Sequence, residues 1–373
     1  MNSVLFISLA LLFIVGCDSE SKLFSPGEAE SESNDAPQVL NKVAGVASAP
    51  VVDAVVELGT VSKPPTVLTR DGGESALIGG QILWTFGDTI FNPKSVDGDN
   101  LRSNTAALAN PSQPLVVTEP TDANGAPYQA LPFTAAEQAY NDSTNNSNDR
   151  IALWFGGLVP NTNGSGLAFY RKLYVKGNFI FPAIGVGTAN FAPGSTAGVR
   201  DPGLLFNSNE PQFSRPLLYN GKVYLYGNLN NGDPTLPFGV ARASSLAKAT
   251  KRSAYRFWNG SQWSTNIATT VKIFDQIPGQ VSASYNTYLQ SFIAVHSGVF
   301  SNKIYLRTAS KPEGPWSAPQ ELFTGMPPTS GANRAGLEHS ELAKNGGKII
   351  YVSYYRPTGF LQGELRLVEV TFQ

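Results

Sequence analysis

The feature that most constrains this chain is a phrase that returns five times. A polar or acidic lead runs into a short apolar strand, a Gly turn and an aromatic-rich strand. The five copies are RDGGESALIGGQILWTFGDT, the diffuse ALPFTAAEQAY…NDRIALWFGGLV, NEPQFSRPLLYNGKVYLYGN, GQVSASYNTYLQSFIAVHSG and LEHSELAKNGGKIIYVSYY. None carries a sustained helical period, and 36 Gly and 26 Pro punctuate the chain. Short strands of one type, repeated at roughly 65 residues, predict an all-β fold, a five-bladed β-propeller. The competing arrangement is a two-sheet sandwich with a long insertion. The segments VVDAVVEL and ELRLVEVTF, near the two ends of the repeats, are both strand-like. Paired in one blade they would close the ring and remove an exposed edge. The one helical stretch expected is short, around Thr134 to Tyr140.

The N-terminus has a different character. Val4 to Val15 reads VLFISLALLFIV, the length of a signal-peptide apolar region and too short to span a bilayer comfortably. Ile14-Val15-Gly16-Cys17 then matches a lipobox, although Met1-Asn2-Ser3 lacks the usual basic residue. Cys17 is the only cysteine, so it is the expected lipidation site, and neither a disulfide nor thiol chemistry is available to the fold. The following stretch to about residue 48 is rich in Ser, Glu, Asp and Pro and reads as a tether without a core. The expected organisation is a signal peptide over 1–16, the lipidated Cys and tether over 17–50, and the propeller over 51–373. The protein would then be a monomer anchored in the cell membrane or outer membrane, facing the periplasm or exterior. Net charge is −1, which leaves no electrostatic footprint for nucleic acid.

The chemistry is expected where strand ends meet at the mouth of the propeller's funnel. A two-residue turn at Gly79-Gly80 fixes a hairpin register in which Ser75 faces Trp84 and Asp71 faces Asp88. Two carboxylates about 5 Å apart destabilise one another unless a proton, cation or ligand intervenes. The plainer reading is that both aspartates cap turns beside glycine. The other phrases offer Glu137, Glu210, Asn286, Glu338, His339 and Glu341 at equivalent places. Strand alternation would put His339 and Glu341 on one face and Glu338 on the other. Such a ring, lined by aromatics such as Trp84, suits a carbohydrate polymer. Hydrolysis of a glycoside needs two carboxyl groups flanking the bond. No thiol, zinc or nucleotide motif occurs, and the two histidines lack metal-ligand spacing. No cofactor is expected. Asp97-Gly98-Asp99-Asn100 is an acidic turn able to take a structural calcium ion, though it lacks the twelve-residue calcium loop and reads more simply as a solvated turn.

WTFGDT (84–89), NEPQFSRPLLYNGKVYLYG (209–227), VARASSLAKATKRSAYRFWNG (240–260), SYNTYLQSF (284–292), RTASKPEGPWSAP (307–319) and HSEL (339–342) resemble, in order and content, a bacterial secreted family long described only as a domain of unknown function. The GPW element also resembles five-bladed propeller glycosidases. The resemblance implies a five-bladed β-propeller, and some members are similar to endo-acting D-arabinofuranosidases. It places Asp88 in the WTFGDT element, Glu210 in the EP-x-F element, and His339 and Glu341 in the HxEL element. By position at the first inner strand, Asp71 matches the base or nucleophile of propeller glycosidases. The expectation is therefore a membrane-anchored glycoside hydrolase with Asp71, Asp88 and Glu210 as catalytic carboxylates. Glu137, Asn286, His339, Glu341 and Trp84 would hold the sugar. A non-catalytic glycan-binding propeller is the alternative.

Overall fold

The computed structural model describes residues 50–144, 149–177, 181–230 and 233–373. Cys17, the signal segment and the tether lie outside the described residues. The chain forms five antiparallel sheets, each led by an inner strand: Val67–Ile78, Arg150–Pro160, Gln212–Tyr219, Ser282–Asn286 and Arg334–Glu338. Each inner strand packs against the next, and the fifth returns to the first, so the sheets are the blades of a five-bladed β-propeller. The first, third and fourth repeated phrases each supply the two innermost strands of a blade, the second supplies the helix and inner strand of blade two, and the fifth joins the end of the blade-five inner strand to the strand beside it. The single α-helix among the described residues, Ala135–Ser143, leads into blade two. Thr134 and Glu137 form a reciprocal capping box at its start.

Blade five holds Arg334–Glu338, Ile349–Gly359, Gln362–Phe372 and, outermost, the N-terminal strand Val52–Thr60. Val55 lies opposite Val370 and Thr60 opposite Arg366. The two ends of the described chain thus close the ring, as the sequence suggested.

Five apolar cores fill the spaces between blades, and they explain why the strands read as near-continuous apolar runs. Leu83 packs toward blade two, whereas its neighbours Ile82 and Trp84 pack toward blade five. Phe292 and Ala294 face blade three, and Ile293 and Val295 face blade five. Both faces of each strand are buried, so the usual alternation of polar and apolar residues is lost. The inner strands also approach closely. A side chain at Gly156 would place its Cβ 2.2 Å from the Ser214 carbonyl oxygen, so only glycine fits between blades two and three.

Candidate site at the funnel mouth

Hairpin one follows the expected register from its Gly79-Gly80 turn, with Leu77 opposite Ile82 and Ser75 opposite Trp84. Both turn glycines have positive φ, 59° and 83°, as a tight hairpin turn requires. The register then breaks. Gly72 opposes Phe86, while Arg70 opposes Thr89, so Asp71 faces the two-residue step Gly87-Asp88. This β-bulge bends the strand and re-aims its side chains. Asp71 and Asp88 remain neighbours at the same end of the hairpin.

Each aspartate is held by an arginine from a different neighbouring blade. Arg334, at the start of the inner strand of blade five, donates from Nε to both oxygens of Asp71 at 3.2 and 3.1 Å. Arg150, at the start of the inner strand of blade two, donates to Asp88 Oδ2 at 2.6 Å. Trp154 lies one pleat pair further on, on the same face as Arg150, and donates its indole N–H to Asp88 Oδ1 at 2.9 Å. Its ring meets Phe181 at 5.4 Å. The Asp71 side chain is 35% exposed and that of Asp88 18%, so solvent reaches both. Among the described residues, three buried guanidinium nitrogens here have no hydrogen-bond partner: Nε and Nη1 of Arg150, and Nη2 of Arg334. Arg334 lies over the Tyr355 ring at 3.9 Å, and the Tyr355 hydroxyl is 2.6 Å from Thr69 Oγ1.

Deeper along the axis, Arg215 of blade three reaches across to Glu74 of blade one. It also donates to the Gly156 carbonyl of blade two at 3.0 Å and to the Gly279 carbonyl before blade four at 3.2 Å. Gln280 adds a 3.2 Å bond to Glu74. One guanidinium thereby ties four blades together and fills the channel beneath the mouth. Arg171, opposite Trp154 on the second strand of blade two, forms no ion pair among the described residues. Burial, reinforced by the positive charge of Arg215, pushes its pKa down to about 10.

Ser340–Leu342 of the HSEL element is a 3-10 turn and not a strand, yet His339 and Glu341 still share one side and Glu338 takes the other. Glu338 turns toward blade four, where Ser284 donates to it at 2.6 Å. Burial pushes the Glu338 carboxyl up to about 7, and the charge of Glu341 adds to the rise. His339 and Glu341 turn the other way, and both meet Ser75 of blade one. Ser75 Oγ is 2.6 Å from His339 Nδ1, and Ser353 Oγ is 2.8 Å from its Nε2. With the Ser75 proton given to Glu341, the network assigns the His339 proton to Nδ1. Burial lowers the His339 pKa to about 3 and raises that of Glu341.

The remaining residues proposed from sequence do not join this mouth. Glu210 is bound by Arg252 at 2.8 Å and accepts from the Asn207 amide, against the outer part of blade three. It is therefore not brought together with Asp71 and Asp88. Glu137 is buried in the helix cap, where Arg200 contacts it at 2.6 Å and Lys172 at 2.5 Å. Burial alone would raise its pKa, but these two cations outweigh burial and hold it at about 2. Arg200 of the Arg200-Asp201-Pro202 run is thus a partner of that cap. Asn286 is buried, donating to the Gly347 carbonyl and accepting from the Leu289 amide. Trp84 is 0% exposed and sits between blades one and five, 4.6 Å from the His339 ring, so it offers no face to a sugar. His339 is 1% exposed and equally unable to touch one. Asp97 and Asp99 of the acidic turn are both occupied by Arg102, at 2.8 and 3.0 Å. Among the described residues no group of three or more acidic, His or Cys side chains converges as a metal site would.

Sequence reasoning missed Arg150, Trp154 and Arg334. Arg150 and Trp154 were visible as same-face residues of RIALWFGG, but only the tertiary bulge at Asp88 directs them to one carboxylate.

A protein-family model described as Domain of unknown function (DUF4185) matches residues 196–368, in keeping with the resemblance read from the sequence motifs. No curated protein matches the chain. Among solved structures, the chain is similar to an exo-β-1,3-galactanase from Phanerochaete chrysosporium solved with β-1,3-galactotriose. Identity is 12%, 86% of this chain and 63% of that chain are covered, and the TM-score is 0.47. The chain thus spans under two thirds of that protein's length. A GH43_1 enzyme from Xanthomonas citri complexed with xylotriose is 11% identical over 83% of this chain and 89% of that chain, with a TM-score of 0.47. The catalytic domain of a GH62 α-L-arabinofuranosidase from Coprinopsis cinerea is 10% identical over 88% and 96%, with a TM-score of 0.46.

Proposed function

We propose that this protein is a glycoside hydrolase acting on a polysaccharide outside the cytoplasm, an arabinofuranan-type polymer first among them, and that a lipid on Cys17 tethers it to a membrane. The observation that carries the reading is the placement of Asp71 and Asp88 at one bulged hairpin end, open to solvent. Glycoside cleavage uses two carboxyl groups, one to protonate the leaving oxygen and one to act on the anomeric carbon directly or through water. Asp88, with each oxygen held by a separate donor, is suited to the fixed carboxylate role. Asp71, the more exposed and ion-paired with Arg334, supplies the second carboxyl group. The partly exposed rings of Trp154 and Phe181 supply an apolar platform beside Asp88 for a sugar face. Arg150 and Arg334 hold the two carboxylates in fixed orientations.

The test is release of reducing ends from arabinofuranan and from a panel of other polysaccharides. Loss of release in both Asp71→Asn and Asp88→Asn, with unchanged melting, supports the proposal. Full activity in both variants refutes it. A non-catalytic glycan-binding propeller is the second reading, and the observation favouring it is that each aspartate is already occupied by an arginine. Tight glycan binding without any product after long incubation would establish that reading instead.

A further inference from the structure

A second concave site lies on blade three, away from the funnel. An open groove of about 500 Å³ is lined by Arg242, Lys248, Lys251 and Arg256, with Ser244 and Ser253 between them. Its lining holds four cations and no carboxylate, in a chain whose net charge is only −1. None of the four forms an ion pair among the described residues, whereas the adjacent Arg252 is paired with Glu210.

Two of the cations are forced together by the fold. Arg242 and Arg256 stand directly opposite one another on paired strands of blade three. Like charges at such positions, with Cβ atoms about 5 Å apart, destabilise the pairing unless an anion lies between them. Both arginines are also fixed before any ligand arrives. The Arg242 guanidinium stacks over the Trp263 ring at 4.2 Å. Arg256 Nη1 donates to the Ser253 carbonyl at 3.2 Å and to the Tyr255 carbonyl at 2.9 Å. Lys248 and Lys251 are exposed, at the ends of short turns that frame the groove.

From this arrangement we infer that the blade-three groove is an anion site for a phosphoryl group. A carboxylate presents two acceptor oxygens and is satisfied by one arginine. Four cations and two hydroxyls around one groove match a group with more oxygens and more charge, as a phosphate has. The source is either a soluble phosphate or the headgroup of an anionic lipid, and the two are separable by experiment. The site is independent of the funnel, and its test needs no glycan.

Calorimetric titration of the full chain with inorganic phosphate at low ionic strength should show saturable binding that weakens steeply as salt is added. The double variant R242Q/R256Q should lose at least ten-fold in affinity with its melting temperature unchanged. In parallel, a Cys17→Ser chain is floated with phosphatidylglycerol vesicles and with phosphatidylcholine vesicles. Phosphate binding lost in the double variant assigns a soluble ligand. Flotation with the anionic vesicles alone, lost in the double variant, assigns a headgroup. Absence of both, or equal binding by the double variant, overturns the inference.

Discussion

Arg215 and Glu74 pair across the axis of the propeller, linking blade three to blade one from residues that are 6% and 7% exposed. An ion pair so buried gains less than its contact suggests, because both charges gave up water. Its value lies in what breaking it costs. Arg215→Met strands Glu74 in the channel and should lower unfolding stability by about 3–5 kcal/mol. The double variant Arg215→Met with Glu74→Leu should recover most of that loss. Urea unfolding of the three proteins checks both statements. A single variant as stable as the parent would show that the pair does not tie the blades.

At the mouth, Asp88 accepts from Arg150 and Trp154, and the three should behave as one unit in catalysis. Asp88→Asn should lower kcat by about 10²–10⁴-fold, the range for removal of a general acid or base. Trp154→Phe keeps the ring and removes the bond to Asp88, so it should lower kcat with little change in KM. Trp154→Ala should raise KM as well, through loss of the platform. Steady-state kinetics on the polysaccharide that proves to be a substrate separates these outcomes. Equal KM effects from both Trp154 variants would place the ring outside the sugar site.

The sequence revealed the propeller because each blade repeats the same local phrase, and a ring of sheets needs little more than repetition and a closing strand. It also placed Asp71 and Asp88 together, since a Gly-Gly turn fixes hairpin register by counting. The count fails at Gly73 and Gly87, where bulges offset the strands, and no local signal marks which residue bulges. At HSEL alternation sorted the side chains correctly, Glu338 to blade four and His339 with Glu341 to blade one, although the backbone there turns as a 3-10 helix. By position in the repeat Glu210 looks catalytic, and Glu137 and Asn286 look sugar-binding. Their partners Arg252, Arg200 and Gly347 come from distant parts of the chain, and those contacts make them structural.

Glu338 should give stability an unusual dependence on pH. Its pKa is near 4.5 as an ordinary glutamate and about 7 when folded. The folded state therefore binds the proton more tightly. The associated stability is fully present below about pH 4.5 and is lost as pH rises through about 7, amounting to roughly 3 kcal/mol. His339 works in the opposite sense. Its pKa falls from 6.5 to about 3, so its contribution is present above about pH 6.5 and is lost as pH drops toward 3. Glu338→Gln keeps an acceptor for Ser284 and removes the ionisation. The His339 contribution is common to both proteins, so the stability of that variant relative to the parent should rise between pH 5 and 8. Denaturant unfolding at several pH values decides it, and parallel profiles would mean that Glu338 ionises freely in the folded protein.

Ring closure depends on Val52–Thr60, which covers the edge of Gln362–Phe372. Side chains reinforce the backbone ladder. Arg366 binds Glu57 at 3.0 Å, Thr60 donates to Glu364 at 3.1 Å, and the Tyr354 hydroxyl donates to Glu57. The strand buries few side chains itself, so its contribution is chiefly edge protection and cross-linking. Without it, the strand ending in LRLVEVTF would present an unpaired row of backbone groups beside apolar residues, a template for pairing with another chain. Deleting residues 50–60 should lower Tm by about 5 °C or more and produce concentration-dependent association. Replacing only Glu57 with Gln should lower Tm much less and leave the protein monodisperse. Thermal melts with light scattering compare the two. A deletion variant that stays monodisperse would show that the propeller tolerates an open edge in blade five.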